Sequence, residues 1–261
     1  MSKVLFNLNY EGQVATITLN QPETYNAFDI DMILQLTTYF NQVANDSNIK
    51  LLVITANGKC FSSGANLVWM KNSINYTNEQ NFQDAKQLAM MLWSLYNLNK
   101  PVICAIQGDV YGGAIGIVAC SDVVITVKNS KFCFSEVKLG LAPAIISPFV
   151  LKVMQNNFAK YSMLTAKPFK AKQAYEFGLV HQIVEKNSLQ QAVSDNIDNI
   201  LSMDFNGVTV TKQLLRNLNQ QISLEQLDDC AKKIADLRTS KEAQFLINQF
   251  LQKINSKIID K

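Results

Sequence analysis

The sequence predicts an α/β fold in which a layered core gives way to a helical C-terminal third. Short β-branched apolar runs alternate with segments of helical period as far as about Ile146, which is the pattern of strands paired largely in parallel and covered by helices. Beyond that point runs of strand type almost vanish and helical periods follow one another. The chain has 261 residues, long enough to bury a substantial core as one large domain or as a domain with a helical extension.

The elements follow in order. The N-terminal MSKVLFNLNYEGQVATITLN enters an alternating strand pattern at once, and Gln13–Leu19 reads as a strand. Asn20–Ala27 (NQPETYNA) is rich in turn residues. Asp29 is placed to cap a helix to about Ala44, with Ile30, Ile33, Leu34, Leu36, Thr37, Phe40 and Val43 as its inner face. Leu51–Thr55 (LLVIT) is a continuous apolar run, expected of a strand covered on both sides. The small-residue loop GKCFSSGANL follows, then a long helix from an Asn78 cap to about Leu98. The pattern repeats with Pro101–Ile106 (PVICAI) as a buried strand, Gly108–Gly113 as a loop and Ala114–Ala119 as a small-residue helix. Val123–Thr126 and Lys131–Phe134 read as short strands. Helical period then covers Ser147–Leu164, Ala171–Phe177, Ser188–Leu201, Gly207–Leu218, Ser223–Arg238 and Ser240–Lys253, with Gly178–Val184 as a brief return to strand. There is no internal repeat and no low-complexity linker.

Composition narrows the class. Apolar residues make up 48% and charged residues 17%, and the net charge is +3. That balance argues against disorder. The basic residues are scattered and lack interleaved aromatics, so a solvated surface is the expected reading rather than a nucleic-acid face. The five cysteines, Cys60, Cys104, Cys120, Cys133 and Cys230, show no metal spacing and no CxxC pair, as expected of reduced thiols. No metal site is expected. No secretory or Arg-rich leader is recognisable and no run is long enough to cross a membrane; the expected location is the cytoplasm.

Two loops share one logic. Cys60–Leu67 (CFSSGANL) follows LLVIT, and Gly108–Gly113 (GDVYGG) follows PVICAI. Each leads from a buried strand through small residues into a helix. Helix starts leave backbone N–H groups unpaired, and glycine lets a ligand come close to them. Two such loops facing each other aim two N–H groups at one oxygen, which is an oxyanion hole. Each loop alone is weak evidence, because a Gly-Gly before a small-residue helix is more often tight helix–strand packing. Neither GxGxxG nor a Walker lysine is present.

Taken together, LNQPETYNAF, LLVITANGKCFSSGANL, KPVICAIQGDVYGGAIGIVACSDVVIT, FSEVKLGLAP and AYEFGLVHQIV resemble the crotonase family, the enoyl-CoA hydratase/isomerase superfamily, from about Val14 to Lys253. The resemblance implies a crotonase-like spiral of ββα turns over residues 1–200 and a helical oligomerisation region over 201–261 that makes trimers, often stacked as hexamers. It implies an acyl-CoA substrate, with coenzyme A as part of the substrate and no separate cofactor. The oxyanion donors it implies are the N–H groups of Ala65 and Gly113. Ser63, Gly64, Asn66, Leu67, Trp69, Gly112 and Gly116 then lie along the substrate, and Phe250 and Lys253 match positions that reach the CoA of a neighbouring subunit. Two positions depart from the family: Asn66 stands where Asp is usual, and Tyr25 where a basic residue commonly precedes Asn-Ala.

Hydratases of the family use two glutamates. One is expected three residues after Gly113, where this chain has Gly116; the other matches Glu136 in FSEVKLGL. Glu136 follows an apolar strand, where a carboxylate without a function is out of place. In a water-poor pocket its pKa moves toward neutrality, which suits proton transfer. Its competing role is a rim carboxylate paired with Lys138. SGANLVWMK, SEVKLGLAPAIISPFV and RTSKEAQFLINQFLQK further resemble bacterial 3-methylglutaconyl-CoA hydratases, and isohexenylglutaconyl-CoA hydratases nearly as well. The first subgroup implies hydration of a branched, carboxylated enoyl-CoA in leucine breakdown. A Δ3,Δ2-enoyl-CoA isomerase, a general hydratase and a protein that only binds RNA or CoA esters are the alternatives. Trp69, Met70, Ile145, Ile146 and Phe149 are read as acyl-pocket or core residues, and the sole histidine, His181, as structural.

Overall fold

The computed structural model describes residues 2–219 and 221–259, the side chains of 255–259 aside. Ten strands form two sheets. The larger has the order β1 (Val4–Asn9), β2 (Val14–Leu19), β3 (Leu51–Ala56), β5 (Val102–Ile106), β7 (Val123–Val127) and β10 (Gln182–Val184). β1 and β2 pair antiparallel through the turn at Tyr10–Gly12, and every later pairing in this sheet is parallel. The smaller sheet has the order β4 (Cys60–Ser62), β6 (Asp109–Tyr111), β8 (Lys131–Cys133) and β9 (Phe169–Lys170), parallel as far as β8. The chain visits the sheets alternately. β3 is followed by β4 and α2 (Leu67–Ser73), and β5 by β6 and α4 (Ala114–Ala119). That is the expected ββα spiral, and it sets successive loops beside one another.

The central strands are apolar on both faces because both are covered. Val102, Ile103, Cys104 and Ile106 are fully buried, as parallel strands between layers require. On one side lie α1 (Ile30–Asn45) and α3 (Asn78–Tyr96), which pack together. On the other, α8 (Leu189–Leu201) covers β5 and β7. Asp29 caps α1 by accepting the N–H of Met32 at 3.0 Å. The inner face of α1 centres on Met32, Ile33, Leu36, Phe40 and Val43, and Leu34 points outward at 46% exposure.

Local structure departs from expectation at three other places. The cap of α3 is Thr77, not Asn78, in a capping box with Gln80. The helical stretch from Ser147 is two helices, α5 (Ser147–Val153) and α6 (Asn156–Thr165), separated where Met154 turns extended. The loops after LLVIT and PVICAI contain β4 and β6, three-residue strands too short to show a period. After α7 (Ala171–Glu176), β10 and α8, three helices close the chain: α9 (Phe205–Leu218), α10 (Leu224–Arg238) and α11 (Lys241–Ile259). α10 lies along α3. α9 is pinned to the core by Lys212, whose Nζ donates to the carbonyl of Lys100 at 2.8 Å and pairs with Asp122. Among the described residues no helix is long and apolar enough to cross a membrane.

Candidate active site

Three segments expected to carry chemistry leave three neighbouring parallel strands of the small sheet at the same end. Ala65 lies three residues beyond β4, Gly113 two beyond β6, and Glu136 three beyond β8. The carboxyl ends of parallel strands are where loops converge on a ligand, and here Gly64, Ala65, Trp69, Gly113 and Glu136 line one cavity. Phe28, Ala85, Leu88, Ile145, Ile146 and Ile234 supply much of its apolar wall, together with the 141–144 segment.

The first loop is held by Asn26, which is fully buried. Its amide donates to the carbonyls of Asn57 (2.8 Å) and Cys60 (3.0 Å), and its Oδ1 accepts from the Gln21 N–H. Ser62 Oγ donates to Asn26 O and accepts the Gly64 N–H. Gly64 takes φ +90°, a conformation open to glycine, with the Tyr111 carbonyl 3.3 Å from where a Cβ would stand. Ala65 forms an isolated parallel bridge with Phe28, but its neighbours make the bonds: Phe28 N–H to Gly64 O at 2.7 Å, and Asn66 N–H to Phe28 O at 2.8 Å. The Ala65 N–H is therefore turned to the opposite side, and it has no acceptor among the described residues. The Gly113 N–H, at the start of α4, has none either. Two unsatisfied backbone donors on one cavity wall are exceptions to the general pairing of backbone groups.

Glu136 has no cationic partner among the described residues. Lys138 points instead toward the thiol of Cys133, 3.9 Å away, so the rim salt bridge does not form. Oε2 is buried and unpartnered. Burial away from water raises the Glu136 pKa from 4.5 to about 7, opposed only by a backbone hydrogen bond. Gly112 makes room for this group: a Cβ there would stand 3.4 Å from Oε1.

Other expected residues have different places. Asn66 is the cap of α2, accepting the N–H groups of Val68 (2.9 Å) and Trp69 (3.3 Å), so Asn in place of Asp leaves the loop intact. Ser63 is exposed on the loop, and Leu67 faces a cleft against α11. Gly116 does not line the cavity. A Cβ there would fall 2.6 Å from Leu92 Cδ1 and 2.9 Å from Ile146 Cγ2, so two buried apolar side chains occupy the space a glutamate would need. Phe250 and Lys253, both exposed on α11, lie outside the cavity of their own protomer. His181 joins β10 to β7, its Nδ1 accepting the Val124 N–H at 2.9 Å. Phe149 packs edge-on against Tyr96.

Sequence reasoning missed Asp84 and Arg238. Asp84 accepts a hydrogen bond from Trp69 Nε1 at 2.8 Å and pairs with Arg238, which lines the cavity. No motif marks them; α3 and α10 bring them together across more than a hundred residues.

Two free N–H donors and one buried carboxyl of raised pKa on an apolar cavity are an arrangement suited to stabilising an oxyanion next to a carbon acid. Comparison with known proteins places it further. Residues 9–256 match the enoyl-CoA hydratase/isomerase family, and the chain belongs to that family. It is 30% identical to the 1,2-epoxyphenylacetyl-CoA isomerase of Escherichia coli, over 84% of each chain. It is also 30% identical to the crotonyl-CoA hydratase of Syntrophomonas wolfei, over 78% of each. A crystal structure of an enoyl-CoA hydratase from Shewanella pealeana superposes with a TM-score of 0.80 at 38% identity, covering 97% of this chain and 94% of that one.

Proposed function

We propose that the protein hydrates, reversibly, a branched and carboxylated enoyl-CoA such as 3-methylglutaconyl-CoA, a step of leucine breakdown. The observation that carries the reading is the shared cavity of the Ala65 and Gly113 N–H groups and the Glu136 carboxyl. The thioester oxygen accepts both N–H groups, and negative charge developing on it in the enolate is stabilised in a site with little water. Glu136, with a pKa of about 7, takes a proton from water as its oxygen adds to Cβ and returns a proton to Cα. The acid is unchanged over the cycle, and one carboxyl does the work of two. The same group shuttles a proton between Cα and Cγ in the isomerase alternative, which Gly116 favours because no second acid is then required. Phe250 and Lys253 serve the CoA of a neighbouring subunit in a trimer or hexamer.

Initial rates with 3-methylglutaconyl-CoA and crotonyl-CoA, each in ¹⁸O-water, test this. Faster loss of the conjugated enoyl absorbance with the branched substrate, with one ¹⁸O gained, is expected. A preference for crotonyl-CoA makes the enzyme a general hydratase. Conversion without ¹⁸O makes it an isomerase.

A further inference from the structure

We propose that Arg238 is the specificity-determining residue of this cavity and that its guanidinium binds a carboxylate at the far end of the acyl chain. The inference rests on the acyl-thioester reading of the site. Arg238 is the last residue of α10 and enters a cavity whose other lining is almost wholly apolar. A guanidinium has five N–H donors in a planar fork. One Nη donates to Asp84 Oδ2, and this is its only hydrogen bond to another described residue.

The surroundings hold the group still without exhausting it. Asp84 is anchored by Trp69 Nε1 on its other oxygen, and the guanidinium carbon stands 5.5 Å from the centre of the Trp69 ring. The Trp69–Asp84–Arg238 chain therefore fixes the fork in a nearly buried place, where the side chains of Arg238 and Asp84 are 14% and 9% exposed. Asp84 offsets the guanidinium charge through one donor, and the remaining donors are left for a ligand. A carboxylate is the group whose two oxygens match such a fork, and Arg binds it with geometric selectivity. Closure of the cavity wall alone would be met by an apolar side chain, as Ile234 does one turn earlier on the same helix.

Calorimetric titration with the unreactive esters glutaryl-CoA and pentanoyl-CoA tests the role without relying on turnover. Wild type is expected to prefer glutaryl-CoA about tenfold to hundredfold, the range of a hydrogen bond to a charged group. The pair Asp84→Asn with Arg238→Met removes both charges and keeps the acceptor for Trp69. It is expected to bind both esters alike, with pentanoyl-CoA binding as tightly as wild type does. Arg238→Lys keeps the charge, loses the fork, and is expected to lower the preference severalfold. Equal binding of the two esters by wild type overturns the proposal and leaves the acyl-thioester reading standing, as does a preference that survives in the variants. Binding of neither ester by wild type overturns both.

Discussion

Replacing Glu136 by Gln is expected to abolish activity and to stabilise the protein in a pH-dependent way. The neutral amide keeps the shape of the side chain and removes the ionisation that burial opposes. In the folded protein the carboxyl titrates near 7, raised from 4.5. Between those values the folded state keeps a proton that the unfolded chain has released, so stability falls as pH rises through this window. Below 4.5 both states are protonated and the group has no effect. Above 7 both are ionised, and the full cost of the buried charge is present. At about 1.4 kcal/mol for each tenfold in acidity, the step from 4.5 to about 7 amounts to about 3 kcal/mol. The Gln variant is therefore expected to exceed wild type by about 3 kcal/mol at pH 8 and by little at pH 5. Urea unfolding at fixed protein concentration across pH 5–8 measures the difference. A gap that is constant with pH, or one that widens toward acid, refutes the claim that Glu136 is held in an unfavourable charged state.

Other substitutions probe the scaffold. Gly116→Ala places a methyl group against Leu92 and Ile146 and is expected to destabilise by about 1–3 kcal/mol, with partial relief in a Leu92→Ala background; thermal melts of the four proteins check this. Asn66→Ala removes the cap of α2 and is expected to cost about 1 kcal/mol, while Asn66→Asp is expected to be near neutral, both read by denaturant titration. Gly64→Ala forces a side chain into φ +90°, expected to cost about 1–3 kcal/mol and to lower kcat more than KM, because the strained loop carries the Ala65 N–H.

How much of this was legible depends on the length over which each signal is written. β3 and β5 announce themselves as unbroken apolar runs, and α1, α10 and α11 as long amphipathic periods. Of the small sheet, β8 was legible as the run Lys131–Phe134, whereas β4 and β6, with three residues each inside small-residue loops, are too short to show alternation. Yet that sheet aligns the ends from which Ala65, Gly113 and Glu136 project. Glycine marked the two candidate loops and an out-of-place carboxylate marked Glu136, while Ala65 and Gly113 were singled out by the family resemblance. What filled the position of the missing acid was not visible, because Leu92 and Ile146 come from other elements and meet Gly116 only in the fold. Arg238 escaped for the same reason: a charged residue ending an amphipathic helix has the sequence pattern of a surface group, and only the docking of α10 on α3 carries it to the cavity.

Formation and discharge of a thioester enolate by one carboxyl and two N–H groups is the chemistry proposed for this site. Exchange of the Cα protons of butyryl-CoA for deuterium in D₂O, followed by proton NMR, tests it most directly, because it requires the enolate and neither hydration nor a particular acyl chain. Wild type is expected to catalyse the exchange, and Glu136→Gln to slow it by about 10²–10⁴-fold, the span of general acid–base catalysis. Exchange that persists in the variant within tenfold of wild type would contradict the account.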